Sequence, residues 1–208
     1  MVKLQAPVLS LDASGSIADS IVFSKWKGRP YARALVKPAN PRSGGQVGMR
    51  AVFKFLSQQW ASISAGNQAT WETRADQQIV SPFNAYMGYN QFRARDFLAP
   101  SQHDPADTAD TLAVAGAGSA TAGVRSITVQ QNITTANDGW GVMFFRSTST
   151  GFSTAYDNLI AIVEVDGVNP VVYVDSPLDP DTYYYNMRTI TDDGQKSAEI
   201  GEVNATVT

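Results

Sequence analysis

The chain has 208 residues, of which 43% are hydrophobic and 17% charged, so it can bury a core and is not a wholly disordered chain. It contains no cysteine, which excludes disulfides and thiolate metal sites, and its single histidine, His103, excludes a multi-histidine metal site. Residues 1–11 lack the apolar core of a secretion signal, and no apolar run approaches the roughly 20 residues that span a bilayer. This composition favours a non-secreted, non-enzymatic protein of one or two domains.

The formal net charge of −3 conceals a division of the chain into a basic and an acidic half. Residues 1–100 hold 12 Lys/Arg and 5 Asp/Glu, a net of +7, whereas residues 101–208 hold 4 and 14, a net of −10. The junction is rich in Pro, Asp and small residues and shows no periodicity. We therefore predict a linker at 101–108 between a basic anchoring domain and an acidic domain at 109–208.

The first predicted element is a β-hairpin. Its arms, Ser20–Trp26 and Pro30–Val36, are rich in β-branched and aromatic residues, and Gly28 between them suits the positive φ of a tight turn. Basic and aromatic side chains are interleaved along this hairpin, and they are the candidate interface: Lys25, Trp26, Lys27, Arg29, Tyr31, Arg33 and Lys37.

Three helices are predicted next. The apolar face of the first has helical spacing and consists of Met49, Val52, Phe53, Leu56, Trp60 and Ile63. Ser64 can cap a second helix that carries Trp71 and Ala75, and Ser81 a third that runs from about Pro82 to Phe97. One side of the third helix is interpreted as core packing, and its members are Phe83, Tyr86, Asn90, Arg93 and Phe97.

Several motifs in this half carry a resemblance. They are the run Phe23–Tyr31 (FSKWKGRPY), the run Val36–Pro41 and the spacing of Trp60, Trp71 and Phe83. With them, residues 14–97 resemble a family of proteins encoded by tailed bacteriophages and prophages. The resemblance implies a virion or head-proximal protein, and it assigns no role to individual residues.

The second half is predicted to consist of short strands separated by Asp/Gly and Asp/Pro turns, which is typical of an antiparallel sandwich. The six predicted strands are Ser126–Ile133, Gly141–Arg146, Leu159–Val165, Val171–Asp175, Tyr183–Ile190 and Ile200–Val207. The Gly/Ala-rich stretch Ala115–Gly123 offers little to bury and is predicted to be a mobile loop.

Residues 109–208 resemble a fibronectin type III domain through Phe145–Phe152, Asn158–Ala161, Tyr173–Asp175 and Leu178–Tyr185. The patterns of the first half predict an α+β amino-terminal domain, with a β-hairpin and about three helices, and the resemblance implies that an all-β immunoglobulin-like sandwich follows it. The Trp that the family usually has in its second strand is missing, and Trp140 stands at the start of what corresponds to the family's third strand, Gly141–Arg146.

The register of the fifth predicted strand, Tyr183–Ile190, is ambiguous. The family's Leu-x-Pro-x-Thr-x-Tyr spacing implies that Tyr184 is the corner tyrosine, whose hydroxyl bonds to a nearby backbone group. Counting back from Gly194 instead places Tyr183, Tyr185 and Met187 inward. The second register is favoured because Asn186 and Arg188, which the first would bury, are poor core residues.

Other candidate sites have simpler interpretations. His103 lies in the predicted linker, where a catalytic histidine would lack rigid support, so we interpret it as solvated. The pairs Asp179/Asp181 and Asp192/Asp193 are interpreted as turn-forming residues rather than calcium ligands, because no twelve-residue calcium loop surrounds them. We expect no metal, no cofactor and no enzymatic activity.

The hypothesis that these observations favour is a structural component of a bacteriophage virion, located in the virion after assembly in the bacterial cytoplasm. Its basic domain would dock on capsid or head–tail proteins, and its sandwich would project as a decoration, head-fibre or tail-accessory module present in many copies. One alternative is a nucleic-acid-binding protein with a sandwich appendage. Another is a tail or baseplate carbohydrate-adhesion module that uses Trp140, Tyr156 and Tyr173. No membrane partner is expected.

Overall fold

The computed structural model describes residues 2–3, 15–17, 20–36, 42–113, 115–133 and 139–208, with 2–3 and 15–17 described by their backbone alone. The chain divides into two compact units, Met1–Pro41 and Arg42–Thr208, a division that differs from the predicted linker at 101–108. The first unit holds six Lys/Arg and two Asp/Glu, a net of +4, and the second holds ten and seventeen, a net of −7. The charge asymmetry is therefore retained, but the basic unit is much shorter than predicted.

The described residues of the first unit form an antiparallel sheet, here called the amino-terminal sheet. Its strands are β1 (Val2–Lys3), β2 (Gly15–Ile17), β3 (Ile21–Trp26) and β4 (Arg29–Ala34), in the order β1-β4-β3-β2. The predicted hairpin is confirmed as β3 and β4. Lys27 and Gly28 join them with φ values of 48° and 76°, as a two-residue type I′ turn requires.

The second unit, here called the main unit, begins with four helices among its described residues. They are α1 (Gly44–Gln59), α2 (Ala65–Thr70), α3 (Glu72–Gln78) and α4 (Pro82–Arg95). The predicted caps are confirmed, since the Oγ atoms of Ser64 and Ser81 accept hydrogen bonds from the backbone N–H groups of Asn67 and Asn84. The predicted second helix is divided at Trp71 into α2 and α3.

The buried face of α1 differs from the predicted one. Val52, Phe55 and Leu56 are buried, whereas Phe53, which was predicted to be on the apolar face, is half exposed. The last buried residue of α1 is Gln59. Its Oε1 accepts a hydrogen bond of 2.9 Å from the indole N–H of Trp140, so this buried polar side chain has a partner outside the helix.

Seven strands follow among the residues that the structure describes, and all pair antiparallel: β5 (Ala115–Gly123), β6 (Ser126–Ile133), β7 (Gly141–Ser147), β8 (Leu159–Glu164), β9 (Val171–Asp175), β10 (Asp181–Ile190) and β11 (Val203–Val207). They form a four-stranded sheet, β11-β10-β7-β8, and a three-stranded sheet, β5-β6-β9. The prediction of a mobile loop at 115–123 is wrong, because these residues pair with β6. A Cβ atom on Gly118 would meet the side chain of Met187, so small residues let β5 lie close to the core.

The main unit has three layers. The two sheets face each other across a core that includes Ile127, Phe144 and Tyr185. The helices cover the other face of the four-stranded sheet, in a second core that includes Phe55 and Phe145. Strand β7 is buried on both faces, which explains its uninterrupted apolar sequence.

The predicted linker is wrong, since residues 99–107 are fixed to the rest of the main unit. The side chain of Asn90 exchanges two hydrogen bonds with the backbone of Ser101, at 2.9 and 2.7 Å. The indole N–H of Trp71 donates to the carbonyl of Gln102, and Arg74 binds both oxygens of Asp104 at 2.8 Å. The bonds from Asn90 and Trp71 satisfy backbone groups that would otherwise lack a hydrogen-bond partner in a segment without regular pairing.

The favoured register of β10 is confirmed. Tyr183, Tyr185 and Met187 belong to the core between the sheets. The hydroxyl of Tyr183 donates to the carbonyl of Asp179, at 3.1 Å, which is the bond expected of a corner tyrosine. The alternative, with Tyr184 in that role, is wrong.

Candidate functional site

The register of the amino-terminal sheet separates the predicted interface residues between its two faces. Residues directly opposite in an antiparallel pair share a face, and alternate residues along a strand change face. Trp26 pairs with Arg29, Ser24 with Tyr31 and Val22 with Arg33. The basic–aromatic face, as we name it, therefore carries Trp26, Arg29, Tyr31 and Arg33.

The remaining predicted residues lie elsewhere. Lys25 pairs with Pro30 and lies on the opposite face. Lys27 is in the turn, with its Nζ 4.9 Å from the centroid of the Trp26 ring. Lys37 lies outside the described residues. The structure thus assembles four of the seven candidates on one face and places a fifth at its end.

The basic–aromatic face is accessible to a partner. Trp26 is 64% exposed, Arg29 and Arg33 are exposed, and Tyr31 is half-buried. The ammonium group of Lys27 beside the Trp26 ring is a cation–π contact. Arg, Trp and Tyr are the residue types that most often dominate the binding energy of protein interfaces, and two guanidinium groups favour a partner with carboxylate or phosphate oxygens.

The opposite face of the same sheet is apolar. Phe23 pairs with Ala32 and Ile21 with Ala34 on this face, and Ile21 is 44% exposed. Sheets usually bury an apolar face against a second layer. Within the described residues of this unit, no second sheet or helix is present to supply that layer.

His103 is held in place rather than solvated in a linker. Its Nδ1 lies 2.8 Å from the carbonyl oxygen of Pro105, and its backbone N–H donates to Ser101 Oγ at 3.3 Å. The neighbouring Asp104 is committed to Arg74, whose guanidinium also lies 4.3 Å from the Tyr89 ring centroid. These contacts fix the position of His103 within the segment that follows α4.

The acidic pairs make the local hydrogen bonds expected of turn residues. Asp193 accepts from the hydroxyl of Thr191 and from the backbone N–H groups of Asp110 and Gln195. Burial raises the pKa of Asp193, but these hydrogen bonds outweigh burial and lower it to about 2. In the opposite direction, a hydrogen bond with Asp192, burial and the nearby carboxylates raise the pKa of Asp110 to about 6.

Asp179 and Asp181 are similarly engaged. Asp179 pairs with Arg125 at 3.2 Å, and Asp181 accepts a hydrogen bond of 2.7 Å from the backbone N–H of Thr182. Over the described part of the chain, no group of three or more His, Cys, Asp and Glu residues could hold a metal ion.

The three aromatic residues proposed for carbohydrate stacking are engaged in packing. Trp140 is 4% exposed and lies 4.8 Å from Phe55 between ring centroids. Tyr173 lies 5.5 Å from Phe144, and the hydroxyl of Tyr156 donates to the carbonyl of Gly45 at 3.2 Å. They do not form a joint exposed platform.

Sequence reasoning missed a second basic surface, in the main unit. A cleft of about 490 Å³ is lined by Arg42, by Val47, Arg50, Ala51 and Lys54 of helix α1, and by residues of β7, β8 and β9. The signal in the sequence was the spacing of four between Arg50 and Lys54, which puts both cations on one side of a helix.

Comparisons with known proteins add no assignment. No protein-family model matches the chain, and no curated protein matches it. One solved structure with some similarity is a β-1,2-glucanase from Parabacteroides distasonis, at 18% identity over 47% of this chain and 14% of that chain, with a TM-score of 0.35. A similarity of this size carries no argument about fold or function. None of the described helices is long and apolar enough to cross a membrane.

Proposed function

We propose that the chain is a non-enzymatic structural component of a bacteriophage virion. Its amino-terminal sheet docks on an acidic surface of a capsid or head–tail protein, and the main unit is the module that the sheet attaches to the particle. The many copies of a virion protein allow weak docking at each copy to add up. The chain is assembled into the particle in the bacterial cytoplasm.

The observation that carries this proposal is the placement of Trp26, Arg29, Tyr31 and Arg33 on one exposed face. The sequence alone left their orientation open. A sheet whose two guanidinium groups and two aromatic rings point the same way presents a compact surface for an acidic partner. The first unit is basic and the main unit acidic, which favours steering of the sheet, rather than the main unit, toward that partner.

We further propose that the two sheets of the main unit form a fibronectin type III sandwich. In chain order, the first, second and fifth strands form one sheet, and the third, fourth, sixth and seventh form the other. This division and the Tyr183 corner bond support the proposal. The helical layer on the four-stranded sheet is an addition to that domain and makes the module wider on one side.

The virion assignment is tested on particles of the bacteriophage or prophage that encodes the chain. Mass spectrometry of purified particles should detect the chain in many copies, and electron microscopy should place its amino-terminal residues against another virion protein. Particles of full infectivity and normal composition that lack the chain would overturn the assignment.

The docking face is tested with two charge reversals in one sheet. Arg33→Glu changes the basic–aromatic face, whereas Lys25→Glu makes the same change of charge on the opposite face. We expect incorporation into particles to fall strongly for Arg33→Glu and to remain near wild type for Lys25→Glu. Equal loss in both variants, or loss with Lys25→Glu alone, would contradict docking through this face.

A second candidate function, nucleic-acid binding, is favoured by the same placement, because Trp26 and Tyr31 are stacking residues between cations. Binding of a labelled oligothymidylate at low salt distinguishes the two. If the oligonucleotide binds with a steep salt dependence and Arg33→Glu abolishes that binding, nucleic acid replaces the acidic protein as the partner. If it does not bind at low salt, the protein partner is retained.

A further inference from the structure

The cleft beside α1 has a charge opposite to that of the unit that contains it. The main unit has a net charge of −7, yet among the described residues that line this cleft, four are Arg or Lys and one is Asp. Arg146 and Asp175 neutralise each other in an ion pair of 2.8 Å. Arg42 and Lys54, which are both exposed, therefore give the described lining of the cleft an excess of positive charge.

Helix α1 presents one continuous stripe to the cleft. Its lining residues Val47, Arg50, Ala51 and Lys54 follow the spacing i, i+3, i+4 and i+7, which is a single face of a helix. The cations occupy the exposed side of this stripe, while Ala51 is buried. One wall of the cleft thus carries two basic residues about one helical turn apart.

The opposite wall is the edge of a sheet. Four consecutive residues of β8, from Ile160 to Val163, line the cleft. Consecutive strand residues point to opposite faces, so a cleft lined by all four runs along the strand's edge rather than over one face. In the part of the chain that the structure describes, β8 is the end strand of its sheet, with β7 as its neighbour.

An end strand presents backbone N–H and C=O groups that an added strand can pair with. Extended peptides bind sheets in this way, with the main chain supplying affinity and alternate side chains supplying specificity. The basic stripe of α1 runs beside this edge, where it can contact the side chains of an added strand. Acidic residues in that strand would pair with Arg42 and Lys54.

We propose that the cleft between α1 and β8 binds an extended acidic segment of a partner protein, which adds a strand to the edge of β8. The described residues that line this cleft all belong to the main unit, whereas the basic–aromatic face belongs to the amino-terminal sheet. The cleft would give the chain a second docking point for acidic protein.

The proposal is tested with the full chain and a short fluorescein-labelled peptide of alternating Glu and Val. We expect saturable binding by fluorescence anisotropy that weakens as salt is raised, and no comparable binding of a matched peptide of alternating Lys and Val. Absence of binding by the acidic peptide, or equal binding of the two peptides, would overturn the proposal.

A double charge reversal localises the binding. Arg42→Glu with Lys54→Glu should weaken binding of the acidic peptide by about tenfold, because two attractive charge pairs become repulsive. The matched control, Arg95→Glu with Arg125→Glu, changes the net charge equally at exposed positions outside the cleft lining. A similar loss in the control would mean nonspecific attraction and would overturn the site.

Backbone pairing has its own readout in amide hydrogen exchange. Binding should slow the exchange of amides in Ile160–Val163 more than that of amides elsewhere on the surface. Peptide binding without added protection of β8 would contradict strand addition. Stronger binding of an oligothymidylate than of the acidic peptide at the same residues would assign the cleft to phosphate-bearing ligands and would also overturn the proposal.

Discussion

The amino-terminal sheet and the main unit differ in how many layers of structure they contain. The main unit stacks helices, a four-stranded sheet and a three-stranded sheet, so it buries both faces of β7 within itself. The amino-terminal sheet is a single layer among the described residues of its unit, and large side chains such as Trp26 and Ile21 remain exposed. A single layer cannot enclose a core.

This difference separates residues that stabilise the chain from residues that are available for partners. Replacing a fully buried tryptophan should lower the stability of the chain, whereas replacing an exposed one should lower binding to a partner.

The largest effect is expected for Trp71→Ala in the main unit. Trp71 is fully buried, packs near Tyr86, and donates from its indole N–H to the carbonyl of Gln102. The substitution should lower the free energy of unfolding by about 3–5 kcal/mol, because it leaves a cavity and releases the segment after α4. Urea unfolding measures this value. A cost below about 1 kcal/mol would show that this layer is not a packed core.

A smaller, pH-dependent effect is expected for Asp193→Asn. The pKa of Asp193 in the folded chain is about 2, below its ordinary value of 3.8. The charged carboxylate therefore stabilises the fold fully above pH 4–5, by about 2 kcal/mol, and this contribution is lost as the pH falls through about 2.

The measurement is the difference in unfolding free energy between wild type and variant. It should narrow from about 2 kcal/mol near pH 6 to about 1 kcal/mol near pH 3. Asp179→Asn, at a side chain that is 89% exposed, is the control and should have little effect at either pH. A difference for Asp193→Asn that does not change with pH would contradict the role of the charge.

Two glycine substitutions sharpen the contrast between crowded and open positions of the main unit. A Cβ on Gly48 in α1 would lie 2.8 Å from the carbonyl oxygen of Tyr156, whereas a Cβ on Gly88 in α4 would meet nothing within 4 Å. Gly48→Ala should destabilise the chain by about 1–2 kcal/mol, because the contact outweighs the gain in helix propensity.

Gly88→Ala gains helix propensity without a clash and should stabilise by up to about 1 kcal/mol. Thermal unfolding of both variants should shift the midpoint in opposite directions. Shifts of the same sign would show that α1 does not approach the turn at Tyr156 as closely as described.

The smallest effect on stability is expected for Trp26→Ala in the amino-terminal sheet. Trp26 is 64% exposed, so the unfolding free energy should change by about 0.5 kcal/mol or less. Incorporation into particles should nevertheless fall, because the ring belongs to the basic–aromatic face. A large loss of stability would instead assign Trp26 to a core and contradict its role in docking.

Local patterns predicted the elements that depend on neighbouring residues. The hairpin followed from Gly28 between two β-rich arms, the helix starts from Ser64 and Ser81, and strand β6 from an alternating apolar pattern. The composition of the candidate face was likewise visible, but not its orientation. Only the pairing register placed Lys25 and Arg33 on opposite faces of the sheet, because successive residues of a strand point to alternate faces.

Patterns failed where distant parts of the chain meet. Residues 115–123 were predicted to be a loop because Gly and Ala carry no apolar pattern. They instead form a strand that pairs with β6, and Gly118 lies close to the side chain of Met187 in the core. Residues 101–108 read as a linker because they are polar, yet Asn90, Trp71 and Arg74 bind them. The run Val142–Phe145 held the missing signal, since a strand that is apolar on both sides indicates cover on both faces.

The sequence by itself determined the charge asymmetry of the chain, the absence of thiol chemistry and the residue types of the interface, because these depend on composition and local order. The tertiary structure decided that the helices and the strands form one unit, and that the division falls after Pro41 rather than near residue 100. It also gave the basic cleft, which joins α1 to the edge of β8. These features depend on which surfaces pack against each other, and that packing is determined by contacts between residues far apart in the chain.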